Sequence, residues 1–325
     1  MSNIAAQRES PSRFDLVRRF THWLDATPHP LIAIEISSDQ VAAARYLRTG
    51  AVAGYFAEDL PKGAVVPSAI ESNIANPSAV KTAISRVCEA LSVKNEDAAL
   101  LLPDPVIRVF VQHFDDFPRA NQEAIPMLRW KLKKSVPFEV DETLLSYMRQ
   151  APRGEGADIV TAIARLRIVK EYEAQLEGLE VRPGVVLSSI LAALSLLDDH
   201  KPTLLARVSG TSLTTAIVRE GALAGYRCTE LPAHAEQVTP QMLLEEVYPL
   251  AAYYQDTWQE GIQAVRVAGL RDRLPNFVGP LEAEFKCPVR SLLSAAVSEG
   301  TVKADARPLA DRELDGLVGW MLHRD

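Results

Sequence analysis

Leu31-Ile-Ala-Ile-Glu-Ile-Ser-Ser-Asp-Gln-Val-Ala-Ala-Ala-Arg-Tyr-Leu47 continues, after a short turn, into Ala51-Val-Ala-Gly-Tyr-Phe-Ala-Glu58. Residues 31–36 read as a buried strand, 41–47 as a second and 50–58 as a third, a β-meander with short turns. The same order returns further on. Residues 203–208, 214–219 and 222–228 read as three strands, with tight turns at Ser209-Gly210 and Glu220-Gly221. A helix and then a strand follow each meander: 77–92 and 98–102 after the first, 239–258 and 264–268 after the second. A repeated supersecondary unit implies two similar halves around a cleft, although the halves share no obvious residue identity.

The 325 residues exceed the length at which single cores usually split, and the composition is ordinary for a globular chain, 47% hydrophobic and 24% charged. A net charge of −7 disfavours a general nucleic-acid surface, so no nucleic-acid partner is expected. Cys88, Cys228 and Cys287 are far apart, form no CxxC pair, and are odd in number, which fits a reducing cytoplasm better than a disulfide framework. The six histidines form no HExxH and no Cys/His cluster, so no metal site is expected. No run long enough to span a bilayer and no signal-peptide core is present.

Between the meanders, residues 77–166 read as an insertion. Its first helix has Asn76 as N-cap, Pro77 at the first helical position, and Val80, Ile84, Val87 and Leu91 on one face. Its second helix opens the stretch Glu123-Ala-Ile-Pro-Met-Leu-Arg-Trp-Lys-Leu-Lys-Lys-Ser-Val-Pro-Phe-Glu-Val-Asp-Glu142. Ile125, Leu128, Leu132 and Val136 recur at helical spacing, basic residues fill the other sides, and Pro137 is expected to stop the helix. Strands are expected at 143–150 and 158–166. The expected division is 1–27 as a tail with an amphipathic helix, 28–76 plus 167–200 as one lobe, 77–166 as the insertion, and 201–325 as the other lobe. Its closing helix, 309–322, is available to pack on the first lobe. In the tail, Phe14, Val17, Phe20 and Leu24 line one side of a helix over 12–25. It is expected to pack on the body or a second copy, or to lie on a membrane surface.

The succession of a Glu, a helix with a central Trp130, and then Val136-Pro137-Phe138 with an acidic tail resembles the "E…W…iPf…e" helix of the PilM family, actin-like proteins of type IV pilus machines. Leu60-Pro-Lys-Gly-Ala-Val65, Leu100-Leu-Leu-Pro-Asp104, Phe114–Phe117, Val169–Leu179 and the Gly319–Arg324 terminus resemble further family segments in order. The resemblance covers nearly the whole chain after residue 30. It implies an α/β fold of the actin-like ATPase kind, with duplicated ribonuclease-H-like halves, two lobes around a cleft and an inserted subdomain of the FtsA and PilM type.

In such folds three turns hold the nucleotide, and glycine lets backbone N–H groups approach phosphate. Where the family's first turn reads D-I-G-S-S, this chain has Glu35-Ile36-Ser37-Ser38, and the family's following lysine is Ala42. Where the second reads D-I-G, it has Arg207-Val208-Ser209-Gly210-Thr211-Ser212; the arginine could meet a phosphate but cannot replace an acidic metal partner. The adenosine turn is Ala268-Gly269-Leu270-Arg271-Asp272-Arg273-Leu274-Pro275, with Leu270 and Arg271 expected where the family brings bare backbone. If nucleotide binds, the resemblance assigns it to Glu35, Ser37, Ser38, Ser209, Gly210, Thr211, Ser212 and Gly269. No catalytic or metal-binding residue is assigned.

With all three turns altered, the resemblance implies a retained fold without efficient ATP turnover. No cofactor is expected, ATP with Mg²⁺ being the candidate if the turns still bind. The implied role is a cytoplasmic scaffold at the inner face of the inner membrane. It binds the cytoplasmic tail of a PilN-like membrane protein in a groove beside the insertion, with pilus motor proteins as further partners. Membrane association would then come through the partner or the N-terminal helix. Trp130, Lys133 and Phe138 mark the expected partner-binding region. The alternatives are an ATP-binding actin-like ATPase and the cytoplasmic part of a GspL-like type II secretion protein.

Overall fold

The computed structural model describes residues 29–49, 51–150, 155–197, 200–302, 306–310, 312 and 314–322. The expected helix over 12–25, with the rest of segment 1–27, lies outside the described residues.

Both meanders form, and each seeds a five-stranded sheet. The first sheet holds β1 (Ile32–Ile36), β2 (Gln40–Tyr46) and β3 (Val52–Asp59), antiparallel in sequence. After helix α1 (Pro77–Ala90) the chain enters β4 (Glu96–Leu102), which pairs parallel with β1 at Ile34 and Leu100. All five β1 positions are buried, as expected for a central strand covered on both faces. Asn76 caps α1 by accepting the Ala79 amide at 3.1 Å, and Val80, Ala83, Ile84 and Val87 are its buried stripe.

Residues 77–102 therefore belong to the first sheet and its covering helix, not to the insertion that the sequence reading begins at residue 77. The apolar run Ala98–Leu102 is buried as the parallel neighbour of β1, and burial outweighs its place between the meanders. The separate third sheet contains β5 (Arg108–Phe114), then, after helix α2 (Asn121–Leu132), β6 (Thr143–Arg149) and β7 (Ala157–Arg165), in the order β5-β7-β6.

Helix α2 ends at Leu132, well before Pro137. The Ser135 and Val136 amides turn back onto the Leu132 carbonyl at 2.8 and 3.2 Å. The early stop lets Val136 and Val140 pack with Leu132 and Ile163, so burial rather than proline ends the helix. The buried stripe is Ala124, Leu128 and Leu132, with Ile125 only half-buried.

From the third sheet the chain returns through α3 (Leu166–Glu173) to β8 (Val181–Ser188), which completes the first sheet beside β4, and then to the short helix α4 (Ser189–Ala193). The second sheet follows with β9 (Thr203–Ser209), β10 (Ser212–Arg219) and β11 (Ala222–Glu230), then helix α5 (Pro240–Trp258), β12 (Ala264–Ala268), helix α6 (Pro275–Phe285) and β13 (Val289–Ser291). The two sheet orders, β3-β2-β1-β4-β8 and β11-β10-β9-β12-β13, are the same topology written twice.

Side chains alternate across a strand. Leu204, Ala206 and Val208 accordingly pack in the core under α5 and α6, whereas Leu205, Ala216 and Val218 join the first lobe's core. The chain closes with α7 (Leu292–Ser298), α8 (Arg307–Ala310) and α9 (Asp315–Leu322). The single closing helix expected over 309–322 is thus split in two. Its second half lies on the first lobe: Trp320 Nε1 donates to the Pro30 carbonyl at 3.3 Å, and Tyr46 Oη donates to the Leu317 carbonyl at 2.7 Å. A methyl group on Gly319 would lie 2.2 Å from the Ala192 carbonyl oxygen, so glycine is what allows α9 to approach α4.

Candidate functional site

On β9, Arg207 lies two residues beyond Leu205 and so points toward the first lobe. There it meets three carboxylates from three elements. Its Nη2 donates to Glu35 on β1 at 3.0 Å, Nη1 to Asp104 after β4 at 3.1 Å, and Nε to Asp315 at the head of α9 at 2.6 Å. All four residues are buried, with Asp104 only 1% exposed. Burial works against the guanidinium charge, but Asp315, Asp104 and Glu35 together more than offset it, and Arg207 stays protonated. Burial pushes the Glu35 carboxyl up from 4.5 to about 7; Arg207 pulls it down, and the neighbouring Asp315 and Asp104 push it up. Removing Arg207, the single cation of the network, leaves buried carboxylates unpaired, at about 3–5 kcal/mol.

Arg207, which by sequence could meet a phosphate, is an internal ion-pair partner that ties β9 of the second lobe to β1, Asp104 and α9. The turns around it are also turned inward. Ser37 Oγ donates to Asp39 Oδ1 at 2.6 Å and accepts the Gln40 amide at 3.1 Å. Ser212 Oγ donates to the Ser209 carbonyl at 2.8 Å, and Thr211 is exposed. A methyl group on Gly210 would lie 2.7 Å from Ser38 Oγ, so the first and second turns are packed against each other.

Gly269 has φ +84°, and a methyl group there would lie 1.8 Å from the Val208 carbonyl oxygen. Its glycine is demanded by the close approach of β9, whatever ligand is considered. Leu270 is buried in the second-lobe core rather than facing a ligand alone, and Arg273 donates to the Ala235 carbonyl at 2.6 Å and to that of Val238.

A cavity of about 270 Å³ remains between the lobes. Of the residues assigned to a nucleotide, Glu35, Ser37, Ser209, Gly210 and Gly269 line it, while Ser38, Thr211 and Ser212 do not. Five carboxylates and three guanidiniums, those of Arg207, Arg271 and Arg273, line it, an acidic balance unsuited to a polyphosphate anion. No three His, Cys, Asp or Glu side chains among the described residues are placed to hold a metal ion. With Arg207 engaged by all three inner carboxylates and the two phosphate turns in contact, these residues do not fit Mg²⁺-nucleotide. Asp104 and Asp315 were not recognised from sequence. Asp104 had a weak signal, a carboxylate just past the end of an apolar strand; Asp315 had none.

A second cavity, about 300 Å³, lies where the third sheet meets the first lobe. Its lining is almost wholly apolar and includes Ile107, Met148, Val160, Val169, Leu187 and Leu191. Five consecutive residues, 144–148, border it. A groove on one face of a strand touches alternate residues, so this one runs along the edge of β6. Among the described residues β6 pairs with β7 alone, which leaves that edge open. Leu144, 48% exposed, stands at its rim.

The residues expected to bind a partner lie elsewhere. Trp130 is 80% exposed on α2, Lys133 is exposed at its C-terminal end, and Phe138 is half-buried against Leu132, Val136 and Val140. None of the three borders the groove.

No protein-family model matches the sequence, and no match to it is found among curated proteins. Solved structures match in fold. A PilM–PilN type IV pilus biogenesis complex superposes with a TM-score of 0.68, covering 91% of this chain and 98% of that one at 14% identity. A Bacteroides thetaiotaomicron protein with an actin-like ATPase fold and unknown function gives 0.47, at 9% identity over 88% of this chain and 97% of that one. The cytoplasmic domain of EpsL, an inner-membrane component of the Vibrio cholerae type II secretion system, gives 0.45, at 12% identity over 84% and 95%. The duplicated sheets, the third sheet between them and the PilM superposition agree: this chain has the actin-like ATPase fold, and it resembles PilM.

Proposed function

We propose that this chain is a PilM-like scaffold of a type IV pilus or related secretion assembly, working at the cytoplasmic face of the inner membrane. Its task is to hold the cytoplasmic tail of a PilN-like membrane protein, without efficient ATP hydrolysis. The observation that carries this reading is the apolar groove along the open edge of β6 in a fold matched by a PilM–PilN complex. An extended tail would add a strand to β6 through main-chain hydrogen bonds and place alternate apolar side chains toward Val160, Val169 and Leu187.

Burial in the groove supplies affinity; the main-chain pairing fixes register. The cleft supports the same reading from the other side, since Arg207 and its three carboxylates occupy the space between the phosphate turns. An ATP-binding actin-like ATPase is the second reading, favoured by the 270 Å³ cleft cavity alone.

The test is calorimetric titration with synthetic peptides of the cytoplasmic tails of PilN-like proteins encoded beside this one. The expected result is saturable binding in the micromolar range, about −8 kcal/mol, abolished by Met148→Glu. No heat with any such tail, or equal affinity in the Met148→Glu protein, would refute the proposal.

A further inference from the structure

One carboxylate, lining neither cavity, bonds on one side to Arg207 in the wall of the cleft and on the other to the segment 187–191 that walls the groove. Asp104 is the second residue after β4 and stands at the root of the third sheet, four residues before β5 begins. One of its oxygens, Oδ2, accepts Arg207 Nη1 at 3.1 Å from the cleft side. The other, Oδ1, accepts the Ile190 amide at 2.9 Å, at the start of α4. Its own carbonyl accepts the Ile107 amide at 3.3 Å. Ile107 and Leu191, each next to or within one turn of these bonds, are walls of the apolar groove. Ser188, which caps α4 through the Leu191 amide at 3.5 Å, adjoins Leu187 of the same wall.

We infer that Asp104 and Arg207 are positioning residues for the groove: the ion cluster in the cleft fixes the wall formed by Ile107 and residues 187–191, so the state of the cleft sets the shape offered to the tail. This rests on the reading of the groove as a binding site. The physical basis is close packing. Asp104 is buried and both its oxygens are committed, so a shift toward Arg207 would draw on its bond to the Ile190 amide. A group that pulled Arg207 into the cleft would therefore loosen one side of the groove. Conversely, a tail seated against Ile107 and Leu191 would favour the closed cluster, because linkage between two sites is reciprocal.

Amide hydrogen exchange on the full-length protein, without ligand, tests the link. Asp104→Asn keeps an acceptor for the Ile190 amide and the size of the side chain, but removes the charge that binds Arg207. A carboxylate that served only as a local cap would be replaced by asparagine without effect. The expected result is faster exchange, on the order of tenfold, at residues 104–107, 188–191 and along β6 in both Asp104→Asn and Arg207→Met, with the double variant no faster than the single ones. Such non-additivity marks residues acting as one unit. Arg219→Met, which breaks a pair with Glu260 in the second lobe, serves as the control and should leave those segments unchanged.

If Arg207→Met does not fold, Asp104→Asn alone carries the comparison. Exchange that rises around Arg207 but is unchanged at 188–191 and β6 would overturn the inference. So would double-variant effects that simply add. No peptide enters this measurement, so its failure is separate from failure of the tail titration.

Discussion

Glu35→Gln should stabilise this protein at alkaline pH and leave it nearly unchanged at acidic pH. Glu35 lies on the central strand of the first sheet, 6% exposed, with Oε1 accepting Arg207 Nη2 at 3.0 Å. Burial is the largest influence on it and raises its pKa from 4.5 to about 7 against the pull of Arg207. Because the folded value lies above the unfolded one, the stability Glu35 contributes is full below about pH 4.5 and is lost as pH rises through about 7. At 1.36 kcal/mol per pH unit, the span amounts to about 3 kcal/mol. Glutamine is neutral throughout and still offers an oxygen to Arg207, so it removes this loss. Urea unfolding of both proteins at pH 5 and pH 8.5 reads the effect. The expected difference is within about 1 kcal/mol at pH 5 and about 3 kcal/mol in favour of the variant at pH 8.5. A variant less stable than the wild type at pH 8.5 would refute the reasoning, since it would mean that the ionised Glu35–Arg207 contact is worth more than the burial it requires.

Three further outcomes follow from single contacts. Gly269→Ala places a methyl group 1.8 Å from the Val208 carbonyl oxygen at φ +84°, and should cost about 3 kcal/mol or more, seen as a large fall in Tm or loss of soluble protein. Gln150→Ala removes a two-way clamp on the Leu223 backbone, whose amide and carbonyl it engages at 2.7 and 2.9 Å, and should cost about 3 kcal/mol in thermal unfolding. Trp130→Ser should leave stability within about 0.5 kcal/mol, because the indole is 80% exposed; a fall beyond about 1.5 kcal/mol would show that it packs.

The duplicated sheet was legible because its signals are local. A central strand such as Ile32–Ile36 is apolar at every position but Glu35, and Ser209-Gly210 and Glu220-Gly221 are turns that residue chemistry announces. Asn76-Pro77 likewise marks the start of α1 in two residues. What failed was decided by distant packing. Pro137 is a valid stop signal, but Val136 and Val140 reach the core only if α2 ends earlier. Residues 98–102 stand between the meanders in sequence and beside β1 in space.

The site was half legible. Glu35, Ser37, Ser209, Gly210 and Gly269, singled out on their turns, line one cavity. The cluster that fills its inner end draws residues 35, 104, 207 and 315 from across the chain, and no spacing rule links them. An arginine beside a phosphate turn carries the same sequence whether it faces a ligand or three carboxylates. The edge groove was equally hidden, because only strand order reveals that β6 has a free side.

The central proposal is that the ion cluster at the inner end of the cleft leaves no place for a nucleotide and that a partner tail binds in the β6 groove instead. Calorimetric titration of Mg²⁺-ATP into the full-length protein at pH 7.5 tests it most directly. The account predicts no saturable heat, for the wild type and for Gly210→Trp alike. Saturable binding to the wild type, lost in Gly210→Trp, would contradict it and return the function to the cleft.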